Sequence, residues 1–419
     1  MKPLFNNVLR FGMTIVLLAC FGITFGQVGD DSFFTITGIA KDVNTHQKIV
    51  FASVSVPGTD IGTVTNSEGE FILKVKKSLD AKFFEISHLG YVNKKFEIAS
   101  SLGDDRVFYL EQHIFPLKEL TVRPKEPRDI VQMALRNTKL NYSNKPNMMT
   151  GFYRESIKQG REYLSISEAV VDISKAPYTN MQNDQVKIFK GRKGTNVKKA
   201  DTLMVKLVGG PSVALLLDII KNNDLIISLD SLDNYNYEIE SIVNINDKPN
   251  YVISFSPSVV KSYPLFYGKL YITQDNLAIT MAEFSLDLSD AQKAARQFVR
   301  TKPAGLVFLP TATSYLVTYK QQGAKFYLNY VRIELKFKSD WKRKWFKNTY
   351  TIMSEIAITD RHEDNIVRFT NPEQFRSGMV LADRIQAFND KGFWGDANII
   401  EPEESIQNAI KKLSKSLHK

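Results

Sequence analysis

Between Phe33 and Leu110, apolar residues fall on alternate positions, and short polar turns interrupt the alternation. Phe71, Leu73 and Val75 alternate with Ile72, Lys74 and Lys76, which predicts a strand with one buried face. Ala52, Val54 and Val56 alternate with Ser53, Ser55 and Pro57, and Phe84 with Ile86 marks another short strand. Pro57-Gly58 and Asn66-Ser67-Glu68-Gly69 separate them. Asn first and Gly fourth is the signature of a type I turn. Strands this closely spaced, with no helical period between them, predict a small antiparallel β-sandwich over 27–113.

Pro124 and Pro127 mark a linker over 114–127, and the pattern then changes. Ile130, Met133, Ala134 and Leu135 recur at helical spacing and predict a helix over 128–140, with Asp129 suited to its first turn. A second helix is expected over 211–222, opened by Pro211. Its Val213, Leu215, Leu216, Leu217, Ile219 and Ile220 cover most of the circumference, which favours a buried helix over one lying on a membrane. Strand patterns follow at 235–240, 251–255, 267–272, 278–284, 313–319, 326–337 and 350–359. An amphipathic helix closes the chain over 403–415, with Ile406, Ala409, Ile410 and Leu413 on one side. The expected fold is mainly β: the small sandwich, then a larger curved antiparallel sheet domain with a few helices over 128–419.

The first 26 residues read as a targeting segment. Lys2 and Arg10 give a basic start, Phe11 to Phe25 carries no charge, and Thr24 and Gly26 place small residues before a cut ahead of Gln27. That uncharged run spans only about 22 Å as a helix, short of a hydrocarbon core of about 30 Å. The expectation is export, to the periplasm or the outer membrane. Leu17-Leu18-Ala19-Cys20 resembles a lipobox, but the residues after Cys20 are apolar where lipoproteins usually turn polar. Cys20 therefore reads as a position in the apolar stretch.

Three segments carry a family resemblance. Gly38-Ile39-Ala40-Lys41-Asp42, Ala52 to Thr59 and Gly62 to Phe71 together resemble the carboxypeptidase regulatory-like domain, and Ile86-Ser87-His88-Leu89-Gly90-Tyr91 resembles its later strand. The resemblance implies a transthyretin-like sandwich of seven strands and no peptidase activity. Asn66 stands where the family often has Asp, and Lys48-Ile49-Val50 replaces a Pro-rich stretch. Leu117 to Val122 resembles the short strand that follows this domain in TonB-dependent receptors of the outer membrane. The chain after Pro124 is too short for their plug and barrel and lacks the barrel's repeating aromatic-girdled segments. The curved sheet with helices is similar in architecture to lipoprotein carriers of the LolA/LolB type. Phe393 to Pro402 resembles the closing motif of exported proteins with this long C-terminal region.

Composition narrows the chemistry. The chain has 419 residues, 43% of them hydrophobic and 24% charged, as expected of a globular protein. A single Cys excludes a disulfide scaffold and a Cys-ligated zinc site. None of His46, His88, His113, His362 and His418 pairs at metallopeptidase spacing. Asp360-Arg361-His362-Glu363-Asp364 reads as a solvated turn rather than a metal site, and His88 as structural. Gly210-Pro211-Ser212-Val213-Ala214 imitates a hydrolase elbow but ends in Ala, so Ser212 reads as part of a helix start. Gly191 to Thr195 lacks the order of a phosphate loop. No enzyme activity, cofactor or metal is expected.

The net charge is +10, although Gln27 to Arg123 carries a net −2. Two clusters hold much of the excess: Lys187 to Lys199, with Lys190, Arg192 and Lys193, and Lys336 to Lys347, with Trp341, Lys342, Arg343, Lys344 and Trp345. Basic residues interleaved with aromatics suit an anionic lipid surface, and an exported protein meets little nucleic acid. These eight residues are the candidate anionic-surface contacts. The functional expectation is a non-catalytic envelope protein that binds or docks a partner, lipid or glycan. The alternative is a lipid or lipoprotein carrier with a half-barrel cavity, and a hydrolase built from distant residues comes third.

Overall fold

The computed structural model describes residues 33–103, 106–113, 126–195, 207–245, 248–298, 305–341, 348–387 and 393–417. The targeting segment with Cys20, most of the expected linker, and Lys342, Arg343, Lys344 and Trp345 lie outside these residues.

Strands β1 (Phe33–Asp42), β2 (Ser53–Ser55), β3 (Gly62–Val64), β4 (Glu70–Lys76), β5 (Phe83–Ser87), β6 (Lys94–Glu97) and β7 (Val107–Leu110) form the N-terminal sandwich. One sheet has the order β4-β1-β7 and the other β3-β2-β5-β6, giving the seven strands that the family resemblance implies. The alternation in β4 translates directly into burial of Phe71, Leu73 and Val75. Phe71, Phe84, Phe96 and Phe108 meet between the sheets at centroid distances of 4.9–6.0 Å. Gly38 permits this packing, because a Cβ there would sit 2.3 Å from the Phe108 ring. The expected turn is present: Gly69 N–H donates to the Asn66 carbonyl at 3.0 Å, with Gly69 at φ +73°. One expectation is corrected. β1 pairs antiparallel with β4, but its last four residues, Ile39 to Asp42, run parallel to β7, so the sandwich is not wholly antiparallel. β7 pairs with the edge of β1 opposite β4, so β1 is the central strand of this sheet.

After α1 (Pro127–Arg136) and α2 (Thr138–Asn141) come β8 (Asn147–Gln159), β9 (Glu162–Lys175), β10 (Gln185–Thr195) and α3 (Gly210–Leu216). Then follow β11 (Tyr235–Ile245), β12 (Lys248–Pro257), β13 (Phe266–Thr273), β14 (Ile279–Leu286), α4 (Ala291–Phe298), β15 (Leu306–Gln322), β16 (Lys325–Trp341), β17 (Asn348–His362), β18 (Gln386–Ala387) and α5 (Glu404–Leu417). They build one eleven-stranded sheet, ordered β11-β12-β13-β14-β15-β16-β17-β8-β9-β10-β18. It is antiparallel except for the short β10–β18 pair. Two meanders, β11–β17 and β8–β10, join where β17 pairs with β8. Bulges in several pairs curve the sheet, and its edges remain open, so the described residues form no closed barrel.

One face of this sheet is covered by helices. α1 buries Ile130, Val131 and Ala134 and α3 buries Ala214 and Leu215, in a continuous core with Tyr142, Tyr178, Tyr319 and Phe326. The helix expected over 128–140 is broken at Asn137 into α1 and α2. The helix expected over 211–222 ends at Leu216. The chain turns there, and fully buried Asp218 accepts hydrogen bonds from Lys175 Nζ at 2.6 Å and from the Tyr319 hydroxyl at 2.8 Å. A helix running on to 222 would point that carboxylate elsewhere. α5 follows the expected pattern, with Ile406 and Leu413 buried against Tyr163, Ile166 and Met353.

Candidate functional site

The opposite face of the sheet meets the sandwich. Its central feature is a row of charges that register places side by side. Arg332 pairs with Glu355 across β16 and β17, Glu355 with Arg154 across β17 and β8, Arg154 with Glu168 across β8 and β9, and Glu168 with Arg192 across β9 and β10. The separations, in the same order, are 3.0, 3.3, 2.8 and 2.9 Å. Arg154, Glu168 and Glu355 are buried. Burial opposes the Arg154 charge, but Glu168 and Glu355 outweigh it and hold the guanidinium pKa above its ordinary value. The Tyr330 hydroxyl donates at 2.6 Å to Glu355 Oε2, the oxygen that also accepts from Arg332, while Oε1 accepts from Arg154.

A C-terminal strap covers one end of the row. Arg154 Nη2 donates to the Ile400 carbonyl at 2.7 Å, and Arg192 lies 4.9 Å from the Trp394 ring. The strap also grips the sandwich. Thr63 Oγ1 donates to the Ile399 carbonyl at 2.8 Å and Asn66 Nδ2 to the Glu401 carbonyl at 3.0 Å. Asn398 accepts from Lys74 N–H at 2.7 Å and donates back to the Lys74 carbonyl at 3.1 Å. The sandwich also touches the sheet directly. Arg361 forks onto Asp60 with two bonds of 3.1 Å, and Gly90 N–H reaches the Asn244 carbonyl at 2.9 Å. Phe51 stacks on Tyr330 at 5.7 Å, with Arg332 5.0 Å from its ring.

These contacts leave a cavity of about 970 Å³ between the two units. The sandwich side is formed by Val50, Phe51, Ser53, Ser87, His88 and Leu89. The sheet side is contributed by β11–β16 and is mixed, with Phe255, Met281, Phe284, Tyr315 and Leu316 among its lining residues beside polar groups. Glu240, Glu283 and Glu334 provide acids, Lys269, Lys320 and Arg332 provide bases, and Ser254, Ser285 and Ser314 provide hydroxyls. Most of these charges already have partners: Lys269 meets Glu240 at 2.5 Å, and Glu283 accepts from the Tyr271 hydroxyl at 3.0 Å. His88 Nδ1 lies 2.8 Å from the Leu89 carbonyl, and burial pushes its pKa below the ordinary value. The wall can hydrogen-bond a polyhydroxylated or peptidic ligand over several strands, while Phe51 and Tyr267 provide flat apolar surface.

The cations of the β10 cluster have partners within the chain. Lys190 Nζ donates to the Trp394 carbonyl at 2.7 Å, Arg192 is bound to Glu168, and Lys193 Nζ donates to the Ala382 carbonyl. Lys190 and Lys193 thereby tie C-terminal segments to β10, and all three side chains stay partly exposed. Trp341 ends β16, while Lys342, Arg343, Lys344 and Trp345 fall outside the described residues. His362 stands at the end of β17, half-exposed, with Nδ1 2.7 Å from the Asp364 carbonyl, as a solvated turn would place it. Ser212 Oγ donates to the Phe375 carbonyl at 2.6 Å. No group of three metal-ligating side chains occurs among the described residues. Sequence reasoning missed the charge row and the cavity. The available signal was Arg154 and Glu168 inside apolar runs such as Gly151-Phe152-Tyr153, where a solvated strand face is out of place.

Residues 36–122 match the model of the CarboxypepD_reg-like domain, and residues 145–336 match the family of unknown function DUF5686. No curated protein is significantly similar to the chain. Among solved structures, a DUF1329 family protein from Desulfovibrio piger is 13% identical, with a TM-score of 0.25, covering 58% of this chain and 96% of that one. A LolA superfamily protein from Nitrosomonas europaea is 11% identical, with a TM-score of 0.20, covering 58% and 99%. MucB in complex with MucA is 9% identical, with a TM-score of 0.16, covering 57% and 96%. Likeness at these TM-scores carries no functional argument. By its family matches, the chain joins a CarboxypepD_reg-like domain to a DUF5686 region, with neither plug nor closed barrel among its described residues.

Proposed function

We propose that this is a non-catalytic, exported envelope protein that holds a polar ligand, a glycan or a peptide, in the cleft between its sandwich and its curved sheet. The observation that carries this reading is the cavity of about 970 Å³, whose sheet wall sets carboxylates, cations and serine hydroxyls among its aromatic and aliphatic residues. The hydroxyls and charges on that wall favour a ligand that can hydrogen-bond over a bare acyl chain. Export is supported by the basic start and the uncharged run from Phe11 to Phe25.

The test is capture from envelope extracts, read by native mass spectrometry. Ser314 is exposed on the cleft wall, so Ser314→Trp blocks the cleft without disturbing a buried site. The wild type is expected to retain a polar small molecule that the blocked variant loses. Recovery of an acyl lipid, or equal retention by both proteins, contradicts the reading.

A further inference from the structure

Around the cleft, one cation differs from the rest. Lys269 is paired with Glu240, Arg332 with Glu355, and Arg361 with Asp60. Lys320 on β15 lines the same cavity and also the small pocket beside it, which Asp60, Gln322, Asn329 and Arg361 line as well. Its ammonium makes no hydrogen bond or ion pair among the described residues. Asp60 and Glu85 attract it through space, but Asp60 is already held by the Arg361 fork. The side chain is half-buried, and burial lowers its pKa below the ordinary lysine value. An ammonium with three donors and no partner in a partly desolvated place is costly unless something else completes it. The hydroxyls of Ser53 and Ser87 line the same cavity, and they too make no hydrogen bond among the described residues.

We propose that Lys320, with the hydroxyls of Ser53 and Ser87 on the facing strands of the same cavity, anchors an oxyanion of the ligand, a carboxylate or a phosphate. This inference rests on the cleft being the binding site and adds the ligand's charge. A lysine suits either anion as a point charge, and the hydroxyls supply further donors.

Trace acetylation of Lys320 in the full chain reads its occupancy directly. It is measured alone and with galacturonate oligomers, inorganic phosphate or neutral maltohexaose. An acidic probe slows labelling, and which one does so distinguishes carboxylate from phosphate. By calorimetry that probe binds Lys320→Met roughly ten- to a hundredfold more weakly than wild type, the effect of losing a hydrogen bond between charged groups, whereas Lys320→Arg keeps most of the affinity. Labelling unaffected by both acidic probes overturns the inference. So does capture from extracts of a neutral molecule that Ser314→Trp loses and Lys320→Met keeps, a result that leaves the cleft itself standing. Failure of any protein to capture a polar molecule counts against the cleft instead.

Discussion

Arg154 and Glu168 face each other across β8 and β9 at 2.8 Å, with side chains 1% and 0% exposed. Glu168 also serves Arg192, so removing this carboxylate leaves two guanidinium groups short of a partner. Breaking a buried pair from one side costs about 3–5 kcal/mol, whereas replacing the pair with apolar groups can be nearly neutral. Urea denaturation of Glu168→Gln is expected to show a loss of that order. Arg154→Met combined with Glu168→Leu is expected to lose less than the two single changes added together. Strict additivity would mean that the row carries no coupling.

Glu155 points to the helix side of the same strand, where burial pushes its pKa up to about 7 and the Tyr153 hydroxyl at 2.8 Å only partly offsets this. In the unfolded chain the group titrates near the ordinary glutamate value. Between the two pH values the folded state therefore holds a proton that the unfolded state has released. Stability linked to this group is present below the unfolded pKa and lost as pH rises through about 7. The swing is about 3 kcal/mol. Glu155→Gln should flatten the decline in stability between pH 5 and pH 8 seen in wild-type chemical denaturation. An unchanged pH profile would show that Glu155 is ionised in the fold.

The strap depends on Asn398, which satisfies both the N–H and the carbonyl of Lys74. Asn398→Ala removes both bonds and is expected to cost about 1–3 kcal/mol. Hydrogen exchange should accelerate in β4 and in residues 393–403, while α1 and β8 stay protected. Acceleration spread evenly over the chain would place the role of Asn398 elsewhere.

Gly268 lies on β13 at the cleft, where a Cβ would stand 2.1 Å from the Glu283 carbonyl oxygen. Gly268→Ala should therefore force β13 and β14 apart and lower stability by about 1–3 kcal/mol. A thermal midpoint equal to wild type would mean that the strands yield freely at this point.

Much of the fold was legible in the sequence. The sandwich could be read because Phe71, Leu73 and Val75 alternate and Asn66 to Gly69 turns, and both signals are local. The charge row could not, because Arg154, Glu168 and Glu355 become neighbours only through strand register, which no local pattern specifies. The helix over 211–222 was overextended because Leu215 to Ile220 is apolar except for Asp218, and one carboxylate does not break a helical pattern. The breaker there is tertiary, the meeting of Asp218 with Lys175. The cleft escaped notice because Ser254, Ser285 and Ser314 read as a solvated strand face until the sandwich is set against them.

The most direct test of the cleft as the binding site is hydrogen exchange on the protein with and without the molecule it captures from envelope extracts. Protection is predicted in β13–β15 and at residues 50–53 and 87–89, with α1 and α3 unchanged. Protection confined to the helix-covered face would contradict it.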